Sequence, residues 1–342
     1  MRFVRAIAGG VVAAALVPAA PAAADDIVRY KGPVEHIFFH PLLPEPQYTL
    51  HRGTQPAEFN KWMTTAKEFR GIVRQLYAKD WLLVDLESLF RRRKDGSLRW
   101  APLRLPKGKK PLVISVDDLN YPEYMIVNHL NSKLVLDGSG NVAAKRVRPD
   151  GTTVVSRSSE IVPILDRFVA NHPDFSHDGA KGTIALTGFE GILGYRTSGA
   201  GRHARKEQRR VAPVVQRLKD TGWTFGSHSY SHPDFGASSY TRVVADTDRW
   251  ERFVEPLIGG DARIFVYPYG SPATGASLSY LRKAGFEIFC TIGPTASTTI
   301  RDGYAVQARV HVDGLSLMSQ KSMLRRFFDP DSVLDPRRPA LR

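Results

Sequence analysis

Two adjacent carboxylates, Asp117 and Asp118, follow the apolar run Leu112-Val113-Ile114-Ser115-Val116, and two imidazoles, His228 and His232, follow Trp223-Thr224-Phe225-Gly226-Ser227. Consecutive carboxylates after a strand point in different directions, so one can bind a cation while its neighbour faces an attacking water. Histidines four apart both face one cation if the loop between them takes a helical turn. One carboxylate and two imidazoles make a donor set suited to zinc or a related divalent ion. Three protein ligands leave room for water and substrate, as in a catalytic rather than a structural metal centre. A third run, Ile264-Phe265-Val266, ends in the turn Tyr267-Pro268-Tyr269-Gly270. Taken singly, these are ordinary caps, turns or solvated pairs. Together, each immediately after an apolar strand, they point to one metal site.

The elements that must position these residues repeat one pattern, an amphipathic helical stretch leading into a short apolar run. Residues 59–77 lead into 81–84, 209–219 into 223–225, 240–254 into 264–266, and 277–283 into 286–292. Further strand candidates are 34–39, 112–116, 183–186 and 306–312. Alternating helices and buried strands predict parallel βα units. No G-x-G-x-x-G fingerprint follows the first strand, so the expected α/β fold is a distorted (β/α) barrel of about seven parallel strands. Function then gathers where the strands end. Residues 134–157, with turns at Asp137-Gly138 and Asp150-Gly151, read as a β-hairpin insertion over one face of the barrel. Arg2, Arg5, the apolar run 7–17 and Ala22-Ala23-Ala24 read as a signal peptide over 1–24, giving a secreted, cell-wall or periplasmic protein after cleavage near Ala24. The barrel domain is expected over 25–328, and 329–342, with Pro330, Pro336 and Pro339, as an irregular tail.

At these residues the chain resembles the polysaccharide deacetylases of carbohydrate esterase family 4, whose motifs are T-F-D-D-G, H-[ST]-x-x-H and R-x-P-Y-G on a distorted barrel. Here they read Ser115-Val116-Asp117-Asp118-Leu119, His228-Ser229-Tyr230-Ser231-His232 and Val266-Tyr267-Pro268-Tyr269-Gly270. The resemblance implies Asp117 as catalytic base and Asp118, His228 and His232 as ligands of one divalent metal ion, zinc first among the candidates. It also implies the backbone N–H of Tyr269, beside Pro268, as oxyanion donor. Val266 stands where the family has an arginine that orients the catalytic aspartate. Arg196 is the expected replacement, with Arg309 the other candidate. Cys290-Thr291 stands where a tryptophan-bearing strand would be, and His311 is the candidate general acid. His40 and Glu190 end other strand candidates and are read as lining the same mouth. Tyr121, Tyr124 and Tyr230 are candidates to stack on sugar rings.

Composition limits the alternatives. A chain that is 42% hydrophobic builds a substantial core, and its single cysteine, Cys290, forms no internal disulfide. Lys and Arg number 48 against 34 acidic residues, a net charge of +14. For an exported protein this points to anionic wall polymer or a membrane surface, since no nucleic-acid-binding pattern is present. No obligate protein partner is implied. The expected function is removal of N-acetyl, or O-acetyl, groups from an extracellular or cell-wall polysaccharide. A metal-dependent amidase or esterase with another substrate, and a carbohydrate-binding protein that keeps the metal without turnover, are the alternatives.

Overall fold

A computed structural model describes residues 26–341, so the signal-peptide segment 1–24 lies outside the described residues. Seven parallel strands close on themselves in chain order: β1 (Glu35–Phe39), β2 (Lys110–Asp117), β3 (Gly182–Leu186), β4 (Trp223–Ser227), β5 (Ile264–Val266), β6 (Ile288–Ile292) and β7 (Tyr304–His311). The ring shuts where Val310 and His311 of β7 pair with Ile37 and Phe38 of β1. Five helices alternate with the strands: α1 (Ala66–Ala78), α2 (Ile161–Asn171), α3 (Arg202–Asp220), α4 (Tyr240–Phe253) and α5 (Gly275–Lys283). Their apolar stripes explain their packing. In α1, Phe69, Ile72, Val73 and Leu76 recur at helical spacing and are fully buried, and Thr65 and Glu68 form a reciprocal capping box at its start.

Strand alternation sorts the residues of each strand between two environments. Leu112, Ile114 and Val116 of β2 face outward into the helix layer, whereas Val113 faces into the barrel with Ala185, Ile264, Val266, Ile288, Cys290 and Ala305. The distortion has a definite origin. The strand Trp81–Leu83, expected among the barrel strands, pairs with the first residues of β2, below the point where β3 joins, and otherwise only through a single bridge from Leu83 to Ser176 among the described residues. Thr298–Arg301 replaces a helix between β6 and β7 and pairs antiparallel with the first half of β7. The N-terminal ends of the strands are covered by a plug of two antiparallel pairs, Phe90–Arg92 with Leu98–Trp100 and Ile27–Arg29 with Arg104–Pro106, which bury Leu89, Phe90, Leu98 and Leu105.

Two peripheral segments differ from expectation. Both turns of the 134–157 insertion are hairpins, so three strands, Lys133–Leu136, Val142–Val147 and Thr153–Ser156, share a middle member. The segment after residue 328 is not an irregular tail: it makes the helical turn Pro330–Val333 and then inserts Arg338, which donates to Glu68 Oε1 (2.6 Å) and Oε2 (2.8 Å) with both side chains buried.

The plug makes a stability prediction. Leu98→Ala opens a cavity at the barrel base and is expected to lower the unfolding free energy by about 2–5 kcal/mol. Arg99→Ala, on the outer face of the same strand, is expected to stay within about 0.5 kcal/mol. Urea denaturation followed by circular dichroism reads both, and equal stability of Leu98→Ala and parent would contradict the plug.

Candidate active site

The carboxylates part because their backbones differ. Asp117 is the last residue of β2 and points into the barrel, whereas Asp118 takes a left-handed conformation (φ 60°) and turns to the rim. Arg309 of β7 meets Asp117 with two parallel hydrogen bonds, from one terminal nitrogen to Oδ1 (2.8 Å) and from the other to Oδ2 (2.9 Å). Both side chains are buried. Burial pushes the Asp117 carboxyl up, but the charges of Arg309 and His228 and the Arg309 hydrogen bonds hold it well below the usual carboxylate range.

Beneath this pair the barrel interior is polar. Arg309 also donates to Ser115 Oγ (3.0 Å), Ser115 Oγ lies 2.8 Å from His36 Nε2, and His36 Nδ1 lies 2.7 Å from Gln307 Oε1. Gln307 Nε2 in turn donates to Thr298 Oγ1 (3.1 Å). Burial and, next, the charge of Arg309 bring His36 down to about 3, so its imidazole is neutral. One proton arrangement satisfies the chain: Arg309 donates to Ser115, Ser115 to Nε2 of His36, and Nδ1–H of His36 to Gln307.

Asp118, His228 and His232 offer one ligand atom each, all within 4.8 Å of one another. His228 Nδ1 donates to the Val266 carbonyl (2.8 Å), which leaves Nε2 facing the cluster. Burial, the main cause, lowers the His228 pKa and keeps the ring neutral, as a metal ligand must be. Thr187, just past β3, donates to Asp118 Oδ1. One carboxylate oxygen and two imidazoles, each fixed from behind, form a donor set that fits zinc or a related divalent ion.

The loop between the histidines is not the helical turn that the four-residue spacing suggests. Ser229 (φ 67°) and His232 (φ 56°) are left-handed, and the loop is pinned by Asp246 of α4, whose carboxylate accepts from the backbone N–H of Tyr230 (2.7 Å) and Ser231 (2.9 Å) and from the Ser231 hydroxyl. The two rings converge with centroids 4.9 Å apart.

A cleft of about 620 Å³ opens over these groups, and its walls include Asp117, Asp118, His228, His232, Tyr269, His40 and His311. The Tyr269 ring stands against His232, 4.7 Å between centroids, on a left-handed turn (φ 58°), while Pro268 is buried beneath. His311 Nε2 is 2.7 Å from Gln320 Oε1.

Other expected residues fall elsewhere. Arg196 does not meet Asp117; it grips the backbone carbonyls of Tyr121 (3.0 Å) and Glu190 (3.2 Å) and faces the Glu190 carboxylate (3.5 Å). Glu190 is spent on the same loop, accepting from the Glu123 N–H (2.9 Å), and is not part of the cleft wall. Tyr230 is buried, its ring beneath Arg249, and Tyr121 is buried with its hydroxyl on Glu160 (3.0 Å), so neither reaches a ligand. Tyr124 does line the cleft, as do Trp62 and Met63, for which sequence gave no signal. Ser115, His36 and Gln307 were also missed, although each is a buried polar residue on the inward face of its strand.

Comparison with known proteins points to one family and one fold. Residues 195–289 match the family model for polysaccharide deacetylase, a span that carries His228, His232 and the Tyr267–Gly270 turn. A chitin deacetylase from Arthroderma benhamiae is 28% identical over 126 residues, which is 34% of this chain and 28% of that protein, so only a minor part of that relative is spanned. Among solved structures, a de-N-acetylase from Aggregatibacter actinomycetemcomitans shares the fold with a TM-score of 0.50 at 13% identity, covering 86% of this chain and 99% of that one. A Streptococcus pyogenes deacetylase in complex with acetate aligns with a TM-score of 0.49 at 13% identity over 85% of this chain and 96% of that one. With its two-aspartate and two-histidine motifs at the mouth of a closed barrel, the chain is similar to the polysaccharide deacetylases, whose family model matches its residues 195–289.

Proposed function

We propose that this protein is a secreted, metal-dependent hydrolase that removes N-acetyl, or O-acetyl, groups from an extracellular or cell-wall polysaccharide. The observation that carries the proposal is the Arg309-held carboxylate of Asp117 next to the Asp118, His228 and His232 cluster, in one cleft. Asp118, His228 and His232 are the residues that would hold the ion. When bound there, a divalent ion lowers the pKa of a coordinated water and polarises the acyl carbonyl.

The chain's own groups supply the rest. Asp117 stays ionised because the pull of Arg309 outweighs burial, so its oxygens accept hydrogen bonds throughout the working pH range and receive the water proton. Arg309 fixes the plane of that carboxylate and leaves it little freedom to swing toward the cluster. The Tyr269 turn presents its backbone N–H to the carbonyl oxygen as charge develops. His311, on the cleft wall, protonates the departing amine or alkoxide. The leader at 1–24 supports secretion. Arg309 of β7 stands against Asp117, so Val266 at the motif arginine's place gives no ground for a binder without turnover.

Asp117→Asn is expected to retain about one equivalent of zinc by elemental analysis and to lose acetate release from acetylated chitooligosaccharides or peptidoglycan by about 10³-fold or more. Full turnover in Asp117→Asn, or absence of a divalent ion from the purified parent, would sink the proposal. Ser115→Ala frees Arg309 on one side and is expected to lower kcat about 10-fold with KM and zinc affinity nearly unchanged. A matched loss of zinc would make Ser115 merely structural. His311→Ala is expected to lower kcat about 10²-fold with zinc content unchanged, and parent-like turnover would remove His311 from the mechanism.

A further inference from the structure

The plug that closes the barrel base has a second face. Its apolar residues point inward, but residues 90–110 contain nine basic side chains and one acid, Asp95. Arg91, Arg93, Lys94, Arg99, Arg104 and Lys107 are exposed, and so are Arg29 and Lys31 on the neighbouring segment. Ion pairs in this region go to Arg92, Lys109 and Arg263 instead, with Glu287, Asp80 and Glu287 respectively. Eight like charges crowded on one end, none in an ion pair among the described residues, repel one another and gain nothing for the fold. Packing needs only Leu89, Phe90, Leu98 and Leu105.

A recess opens beside these charges, on the Phe90 side of the hairpin. A cleft of about 700 Å³ is lined by Arg29, Tyr30, Lys31, Trp100, Pro102 and Thr298. Trp100 stacks on Phe90 (5.0 Å between ring centres, 27° between planes) yet is 44% exposed, so one face of a rigid indole is presented to the cleft. An exposed aromatic plane suits the apolar face of a sugar ring, and the surrounding guanidinium and ammonium groups suit carboxylates. A flat lipid surface would leave the recess unfilled.

We propose that this recess binds an anionic polysaccharide, with sugar rings against Trp100 and their carboxylates on Arg29 and Lys31, while the other unpaired cations of the plug add long-range attraction. The plug joins the N-terminal ends of the strands, opposite the catalytic mouth, so this site does not rest on the deacetylase reading. Occupied, it would tether the protein to a polymer and leave the mouth free, raising the effective concentration of nearby glycan.

Isothermal titration of the full chain with polygalacturonate oligomers tests this. Neutral dextran of matched length, polyphosphate and vesicles containing phosphatidylglycerol are the comparison probes. The parent is expected to bind polygalacturonate with an affinity that falls with added salt, and dextran not at all. The double variant Arg29→Gln, Lys31→Gln is expected to bind at least about 10-fold more weakly, with unchanged melting temperature and acetate release. Trp100→Ala is expected to weaken polygalacturonate about 5-fold and polyphosphate hardly at all. Unchanged affinity in the double variant would overturn the proposal. So would equal effects of Trp100→Ala on both polymers, which would leave only unspecific charge attraction. Binding to vesicles without binding to polygalacturonate would assign the face to a membrane and overturn it as well.

Discussion

A carboxylate and a guanidinium buried inside the barrel, Asp117 and Arg309, set the terms for everything around them. Removing two charges from water costs several kcal/mol for each ion, and their attraction offsets this only when geometry and further hydrogen bonds are good. The parallel two-point contact supplies the first condition. Ser115, and behind it His36, Gln307 and Thr298, supply the second. The middle of the barrel interior is therefore polar while the base, around Val113, Ile288 and Ala305, is apolar. The arginine's Nε has no hydrogen-bond partner among the described residues, and its guanidinium lies 4.0 Å from the centre of the Phe38 ring, a cation–π contact that compensates in part.

That constraint also bears on the metal cluster. With Asp117 clamped from β7, it is Asp118, turned outward by its left-handed backbone, that joins His228 and His232. His228 is fixed through the Val266 carbonyl, so the residue that stands at the motif arginine's place contributes its backbone and not its side chain. His232 depends on Asp246, a carboxylate on the next helix that holds the loop by its amides. Asp117, Asp118 and His228 are thus oriented by partners on or just past β7, β3 and β5, which the closed ring of strands brings together, whereas His232 is held from within its own βα unit.

The strand ends were legible because an apolar run followed by polar residues is a local signal, and Asp117-Asp118, the histidine pair and the Tyr267–Gly270 turn all fall there. What was misread depended on pairing and facing. Arg196 looked well placed because it follows a strand, yet its loop folds back so that the guanidinium serves carbonyls. Arg309 lies two residues before His311, and a period of two puts both on the inward face; reading that face needs the direction of β7, which closure with β1 decides. Trp81–Leu83 is apolar enough for a barrel strand but, apart from the single Leu83–Ser176 bridge, pairs only with the start of β2 among the described residues. Spacing alone carries no sign of φ, so it leaves open the helical turn that the histidine loop does not make, and Asp246, which fixes the real conformation, lies on the following helix.

The relocation of the arginine to β7 is the central claim, and the turnover number of Arg309→Ala, measured with and without added guanidinium, tests it most directly. A fall in kcat of about 10²-fold or more, partly restored by millimolar guanidinium while zinc content holds, is the predicted result. Parent-like turnover in Arg309→Ala would contradict it.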